Sequence, residues 1–259
     1  MSYRIWTAAA LSSNFHSLAD SCWRIVEAQN RVSTLKLVET FQEQKRLEEL
    51  LEEKKPPYPP ELSSYHYLLF TPFRYEPYER GSRFRRRGQK EGVFYAAESV
   101  ETAMAEMAFY RLLFFLESPN TPIPDNPAEY TAFSVKYGTN KGLDLTIEPL
   151  LRNQKDWTDK ESYEACQYLA DRAREAYTEI IRSLSVRCPN QGKNIALLSW
   201  KAFKSKKPEA RQTWRLSIKP NEIAAICEHP NKTLVFDRAL LEDDPHIRKL
   251  KEVHGGLWR

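Results

Sequence analysis

One carboxylate stands where the interior of a helix should be. The stretch Ala103-Met104-Ala105-Glu106-Met107-Ala108-Phe109-Tyr110-Arg111-Leu112-Leu113-Phe114-Phe115-Leu116 is apolar nearly all round, and its only charges are Glu106 and Arg111. A helix of this composition is mostly buried. A carboxylate inside it is costly unless it is paired or has a task. Just upstream, Arg80, Arg83, Arg85, Arg86, Arg87 and Lys90 crowd ahead of the strand-like Gly92-Val93-Phe94-Tyr95-Ala96-Ala97. An arginine-rich loop, a strand carrying a tyrosine and a helix with an inward carboxylate can together hold an anionic nucleotide and act on its sugar.

The chemistry of each group follows from its type. Guanidinium groups pair with phosphate through two parallel hydrogen bonds, which suits a pyrophosphate. In an extended segment Arg83, Arg85 and Arg87 would share one face, with Phe84 and Arg86 on the other. The competing reading of this loop is a solvated basic turn or a weak nucleic-acid patch, since aromatic-interleaved basic runs also fit RNA. Arg74 and Tyr75, in Thr71-Pro72-Phe73-Arg74-Tyr75, follow an apolar segment read as a strand. Tyr95 precedes the Glu106 helix closely enough for both side chains to reach one cleft, although ordinary strand burial would also explain the tyrosine. For Glu106 the plainer alternative is a salt bridge to an arginine of the same loop. Arg111 is five residues away on the helix, a poor pairing distance.

These residues need a frame. The chain has 259 residues, 41% of them hydrophobic, enough for one large domain or a domain with an extension. Net charge is +4, so the cations are a local cluster and not a chain-wide coat for nucleic acid. Cys22, Cys166, Cys188 and Cys227 form no CxxC pair and no zinc spacing, which fits reduced thiols and no metal. No apolar run is long enough for a membrane span, and Met1 to Ala10 is too short and polar for a targeting segment. The expectation is a soluble cytoplasmic protein. Glycine-rich phosphate loops, HExxH and GxSxG are all absent, which argues against a Rossmann oxidoreductase and a P-loop kinase.

Two amphipathic helices are expected between about Phe15 and Lys55, from Leu18, Cys22, Ile25 and Val26 and then from Leu35 to Leu51 after a Ser33-Thr34 cap. Pro56-Pro57-Tyr58-Pro59-Pro60 ends them as a stiff spacer. The domain boundary is placed there, with a helical extension over 1–60 and a catalytic domain over 61–259. Short strands are then expected at 65–70, 92–97, 130–137, 184–188, 195–200, 214–218, 223–227 and 234–236. They are interrupted by helices from Ser99 to about Leu116 and from about Lys160 to Ser183. The texture is α+β, around a largely antiparallel sheet.

The blocks Phe73-Arg74-Tyr75, Gly81-Ser82-Arg83-Phe84-Arg85 and Gly92 through Glu106 occur in the order and spacing of the RES domain family, which the chain resembles. Leu184-Ser185-Val186-Arg187-Cys188-Pro189-Asn190-Gln191-Gly192-Lys193-Asn194 looks like that family's serine motif, a serine, any residue and an arginine ahead of a glycine–asparagine turn. The resemblance covers roughly Tyr65 to Phe236. It implies an ADP-ribosyltransferase-like fold with a split sheet, and a toxin of a toxin–antitoxin pair that degrades NAD+ by hydrolysis or phosphorolysis. It implies Glu106, Ser185 and Arg85 as catalytic residues, with Arg74, Tyr75, Arg83, Tyr95 and Arg187 binding NAD+. Arg85 has the more usual distance to Tyr95, so the choice between Arg83 and Arg85 for the phosphates stays open. NAD+ is the substrate, no further cofactor is implied, and a small helix-turn-helix antitoxin is the expected partner. The N-terminal helices make a homodimer an expectation too.

Cleavage of the nicotinamide–ribose bond passes through an oxocarbenium-like state, which a nearby carboxylate stabilises. An arginine beside Glu106 is expected to outweigh burial and keep it charged. Two other functions compete: an ADP-ribosyltransferase acting on a specific protein, and a non-catalytic nucleic-acid-binding module built on the arginine loop. An inward glutamate disfavours the last, because a polyanion binder gains nothing from a carboxylate in its groove.

Overall fold

In a computed structural model, residues 2–28, 37–74, 81–118 and 120–254 are described. A single eight-stranded sheet runs in the order β1-β2-β5-β4-β3-β6-β7-β8. Its strands are β1 (His16–Glu27), β2 (Phe94–Ala97), β3 (Ala128–Asp144), β4 (Ile180–Leu184), β5 (Lys193–Leu197), β6 (Ala210–Ile218), β7 (Glu222–Cys227) and β8 (Lys232–Asp237). The helices that matter for the site are α1 (Ala8–Ser12), α2 (Phe41–Lys54), α3 (Tyr67–Arg74), α4 (Val100–Glu117), α5 (Glu164–Glu175), α6 (Arg238–Glu242) and α7 (Pro245–His254).

The sheet forks at β3. Residues 128–134 of this strand pair with β6, and residues 142–144 pair in parallel with β4. Every other pairing is antiparallel. The other edge of β3 is covered along nearly its whole length by β1, which also meets β2 at Trp23 and Ala97. Strands β1, β2, β5, β4 and β3 thus close on one another, while β6, β7 and β8 fan outward. The expected split, largely antiparallel sheet is present.

Several local expectations are corrected. Residues 16–27 form the strand β1, not a helix, so the segment before residue 60 is part strand and part helix. Leu18, Cys22 and Ile25 are buried at intervals that mimic a helical stripe. The long backbone edge of β3 must find hydrogen bonds, and β1 supplies them residue by residue. The Cys22 thiol sits fully buried there, and its pKa is raised by that burial. Among the described residues, α2 is what remains of the two expected helices, opened by a reciprocal capping box between Thr40 and Glu43. The Ser33-Thr34 cap lies outside the described residues. The strand expected at 65–70 is instead the start of α3, which carries Pro72 within it. The helix expected to reach Ser183 ends at Glu175, and the chain reverses through Tyr177 at a φ of 59° before entering β4. Residues 185–188, expected as strand, lie in the loop beyond β4.

Helix α4 forms as expected. Ser99 caps it, its hydroxyl accepting the Thr102 N–H at 3.1 Å. Its apolar residues Met104, Ala105, Ala108, Phe109 and Leu112 are buried in one core with Tyr130, Trp214, Ile223 and Ile247, which joins α4 to β3, β6, β7 and α7. Glu106 therefore rides on a helix held from both sides. All four cysteines are free. Among the described residues, no helix is long and apolar enough to cross a membrane.

Candidate active site

Glu106 is half-buried on α4, and two side chains reach the same oxygen of its carboxylate. The Ser185 hydroxyl donates to Oε1 at 2.6 Å and the Asn194 amide donates to Oε1 at 2.7 Å. Its other oxygen takes no protein hydrogen bond among the described residues. The carboxylate is thus oriented from one side and left open on the other. Its partners are a hydroxyl and an amide, not the arginine that sequence reasoning expected.

Ser185 is held equally firmly. It is buried, and its oxygen accepts N–H groups from Arg187 at 3.3 Å and Cys188 at 3.0 Å. With its lone pairs so occupied, the hydroxyl proton is directed to Glu106. The loop from 185 to 192 closes with the Ser185 N–H donating to the Gly192 carbonyl at 2.7 Å. Gly192 is required by close approach, since a Cβ there would lie 1.9 Å from Thr102 Oγ1 in the first turn of α4. Loop and helix are locked together by that contact, and Glu106 lies one turn further along the helix.

Arg83 lies near Tyr110, which in turn lies near Glu106. The Arg83 guanidinium donates to the carbonyls of Trp157 at 2.8 Å and Asp159 at 3.1 Å, and lies 4.7 Å over the Tyr163 ring. Among the described residues it pairs with no carboxylate. Burial works against its charge, but the fields of Cys166 and Tyr163 outweigh it and hold the guanidinium charged. Tyr110 connects Arg83 to Glu106. It is one turn beyond Glu106 on the same helix face. Its hydroxyl sits beside that of Tyr163, and although half of the residue is exposed, desolvation at the hydroxyl end, Tyr163 and Glu106 push it well above the ordinary tyrosine range. A groove of about 540 Å³ continues past Ser185 and Arg187, between Phe109, Pro189 and Leu240.

The arginine loop is divided by function. The turn at residues 81–85 is closed by paired Ser82 and Arg85 backbones, with Gly81 at a φ of 69° and no room for a Cβ against the Arg85 carbonyl. Helix α5 clasps it from outside. Gln167 donates to the Ser82 carbonyl at 3.0 Å, Arg174 to the Phe84 carbonyl at 2.8 Å, and Asp171 pairs with Arg86 at 2.5 Å. Tyr95 holds it from inside, its hydroxyl 2.8 Å from Ser82 Oγ and accepting the Phe84 N–H at 3.0 Å. Burial raises the pKa of that phenol.

The predicted site residues therefore separate into groups. Glu106 and Ser185 are in direct contact, and Arg83 is connected to them through Tyr163 and Tyr110. Tyr95 anchors the loop that presents Arg83. Arg85 is buried and turned back on its own loop, donating to the Gln89 carbonyl at 2.8 Å, so its guanidinium is engaged away from Glu106. The ten-residue spacing to Tyr95 did not reveal this. Arg74 is also buried and engaged elsewhere, donating to the Pro56 carbonyl at 2.9 Å and pairing with Glu52 at 2.6 Å. Arg187 is buried against Phe109, 3.9 Å from its ring, and pairs with Asp244. Tyr75 lies outside the described residues. Sequence reasoning missed Asn194, Tyr110, Tyr163 and Asp244. Tyr110 had a signal, because it falls four residues after Glu106.

A larger open groove, about 930 Å³, is lined by Tyr65, His66, Lys206, Lys207 and Arg211 and contains none of these residues.

A family model described as the RES domain matches residues 59–219. No curated protein matches the sequence. Among solved structures, the M. tuberculosis MbcT–MbcA toxin–antitoxin complex is similar at 10% sequence identity and a TM-score of 0.43, over 92% of this chain and 95% of that one.

Proposed function

This chain belongs to the RES domain family, and from that premise we propose that it cleaves the nicotinamide–ribose bond of NAD+. In this reading it acts as a toxin and a small cognate antitoxin restrains it. The observation that carries the proposal is the Glu106 carboxylate, fixed through one oxygen by Ser185 and Asn194 and open at the other.

The chemistry needs a negative group beside a carbon that turns positive as nicotinamide leaves. A rigid carboxylate with one unengaged oxygen can take a ribose hydroxyl and steady that charge without reorganising. Arg83, charged and without a carboxylate partner among the described residues, is the group best suited to the pyrophosphate. Tyr110 and Tyr163 supply aromatic faces between the two, where nicotinamide can be shielded from water. Ser185 keeps Glu106 in place. Arg85 and Arg86 are engaged by Gln89 and Asp171. This favours a nucleotide site over a polyanion track, because fewer loop cations are free to follow a phosphate backbone.

The test is product analysis after incubating the full chain with NAD+, with and without phosphate. Free nicotinamide with ADP-ribose means water attacks, and a phosphorylated ADP-ribose means phosphate does. Label retained on protein would assign transfer to a protein acceptor. No nicotinamide release under any of these conditions would refute the proposal.

A further inference from the structure

We propose that Asp244 is a positioning residue of this site, acting through Arg187 on the Ser185–Glu106 pair. The inference rests on the NAD+ reading above. It brings into the active site a segment that follows residue 219, where the family match ends.

The connection is continuous. Asp244 and Arg187 form an ion pair with both side chains 3% exposed. The Arg187 guanidinium is pressed on the Phe109 ring, three residues past Glu106 on α4. The Arg187 N–H donates to Ser185 Oγ, and Ser185 Oγ donates to Glu106. Asp244 itself is fixed from the other side. Its carboxylate accepts the His246 N–H at 3.0 Å and lies 3.2 Å from His246 Nδ1. Helix α7 is seated on α4 through buried Ile247. The carboxylate is therefore rigid, and so is the arginine it holds.

The physical reason is proton direction. Ser185 can give its hydrogen to Glu106 only while its oxygen accepts the N–H groups of residues 187 and 188. Those N–H groups keep their aim only while the Arg187 side chain is anchored. Arg187 Nη2 is already buried without a hydrogen-bond partner, so among the described residues the Phe109 ring alone is left to hold the guanidinium once the ion pair is lost. Removing the Asp244 charge frees Arg187 to move, and the 185–188 loop with it. A carboxylate misplaced by even a fraction of an ångström then meets the ribose poorly.

The experiment uses the full chain with Asp244→Asn, Asp244→Glu, Ser185→Ala and the double variant Asp244→Asn/Ser185→Ala. Asp244→Asn is expected to lower kcat by roughly 10- to 100-fold while leaving KM for NAD+ within about twofold. Asp244→Glu should fall between Asp244→Asn and the unaltered protein, and it decides the matter if Asp244→Asn does not fold. In the Ser185→Ala background, Asp244→Asn should add less than about twofold, because the two act as one unit. Amide hydrogen exchange at residues 187 and 188 should accelerate in Asp244→Asn while β4 and β5 stay protected. The proposal is overturned by unchanged kcat in a folded Asp244 variant, by an undiminished effect on top of Ser185→Ala, or by unchanged exchange at 187 and 188. If the unaltered protein releases no nicotinamide, the NAD+ reading fails, and the exchange measurement still decides whether Asp244 orders the Ser185 loop.

Discussion

Ser185 and Glu106, 79 positions apart in the chain, meet through a 2.6 Å hydrogen bond in which the hydroxyl donates to the carboxylate. One comes from a loop between two strands and the other from a half-buried position on a helix. Asn194 completes the grip from β5, so three elements converge on one carboxylate oxygen. Such convergence would serve little purpose for a carboxylate that only filled a helix.

The two candidate phosphate arginines should behave differently. Arg83→Ala is expected to raise KM for NAD+ by roughly tenfold or more, the worth of one charge-assisted hydrogen bond, beside a stability loss of about 1–3 kcal/mol from the Trp157 and Asp159 carbonyls it leaves without a donor. Arg85→Ala should cost about 1–3 kcal/mol of stability, because the Gln89 carbonyl loses its donor. Steady-state kinetics and urea unfolding of both variants check this. A raised KM for Arg85→Ala beside a silent Arg83→Ala would reverse the assignment.

Gly192 offers a test of the contact between loop and helix. Gly192→Ala should destabilise the protein by about 1–3 kcal/mol, since its Cβ would overlap Thr102 Oγ1. Removing that oxygen in Gly192→Ala/Thr102→Ala should restore part of the loss. Unfolding midpoints of the single and double variants give the answer, and strict additivity would mean that the two residues do not touch.

Acid should weaken the clamp between Asp244 and Arg187. Burial pushes the Asp244 carboxyl up, but His246 and Arg187 together outweigh it and hold it below its ordinary value of 3.8. A group with a depressed folded pKa contributes stability that is present above 3.8 and is lost as pH falls through the lower folded value. Asp244→Asn should therefore be less stable than the unaltered protein by about 3–5 kcal/mol near neutrality, because a buried guanidinium loses its partner. The gap should narrow as pH drops below 3.8. Urea midpoints measured across pH for both proteins would show a constant gap if Asp244 carried no linked proton.

How much of this was legible beforehand depended on what each signal competed with. Glu106 stood out because the rest of α4 is apolar, and a lone charge in such a helix has few explanations. Ser185 was found through the motif around it. The role of Arg83 against Arg85 was not legible, because spacing does not reveal which guanidinium a turn uses to satisfy its own carbonyls. Strand β1 was hidden by Leu18, Cys22 and Ile25, whose spacing suits a helix although the partner strand β3 decides the outcome. Asp244 gave no local signal beyond preceding a proline at a helix start, and its task depends on an arginine 57 positions earlier.

The most direct test of the central claim is nicotinamide release from NAD+ by the unaltered chain and by Glu106→Gln, with circular dichroism confirming that both are folded. The Gln carbonyl can still accept from Ser185 and Asn194 but carries no charge, so release should fall by roughly 100-fold or more while the fold is kept. Equal release by a folded Glu106→Gln protein would contradict the account.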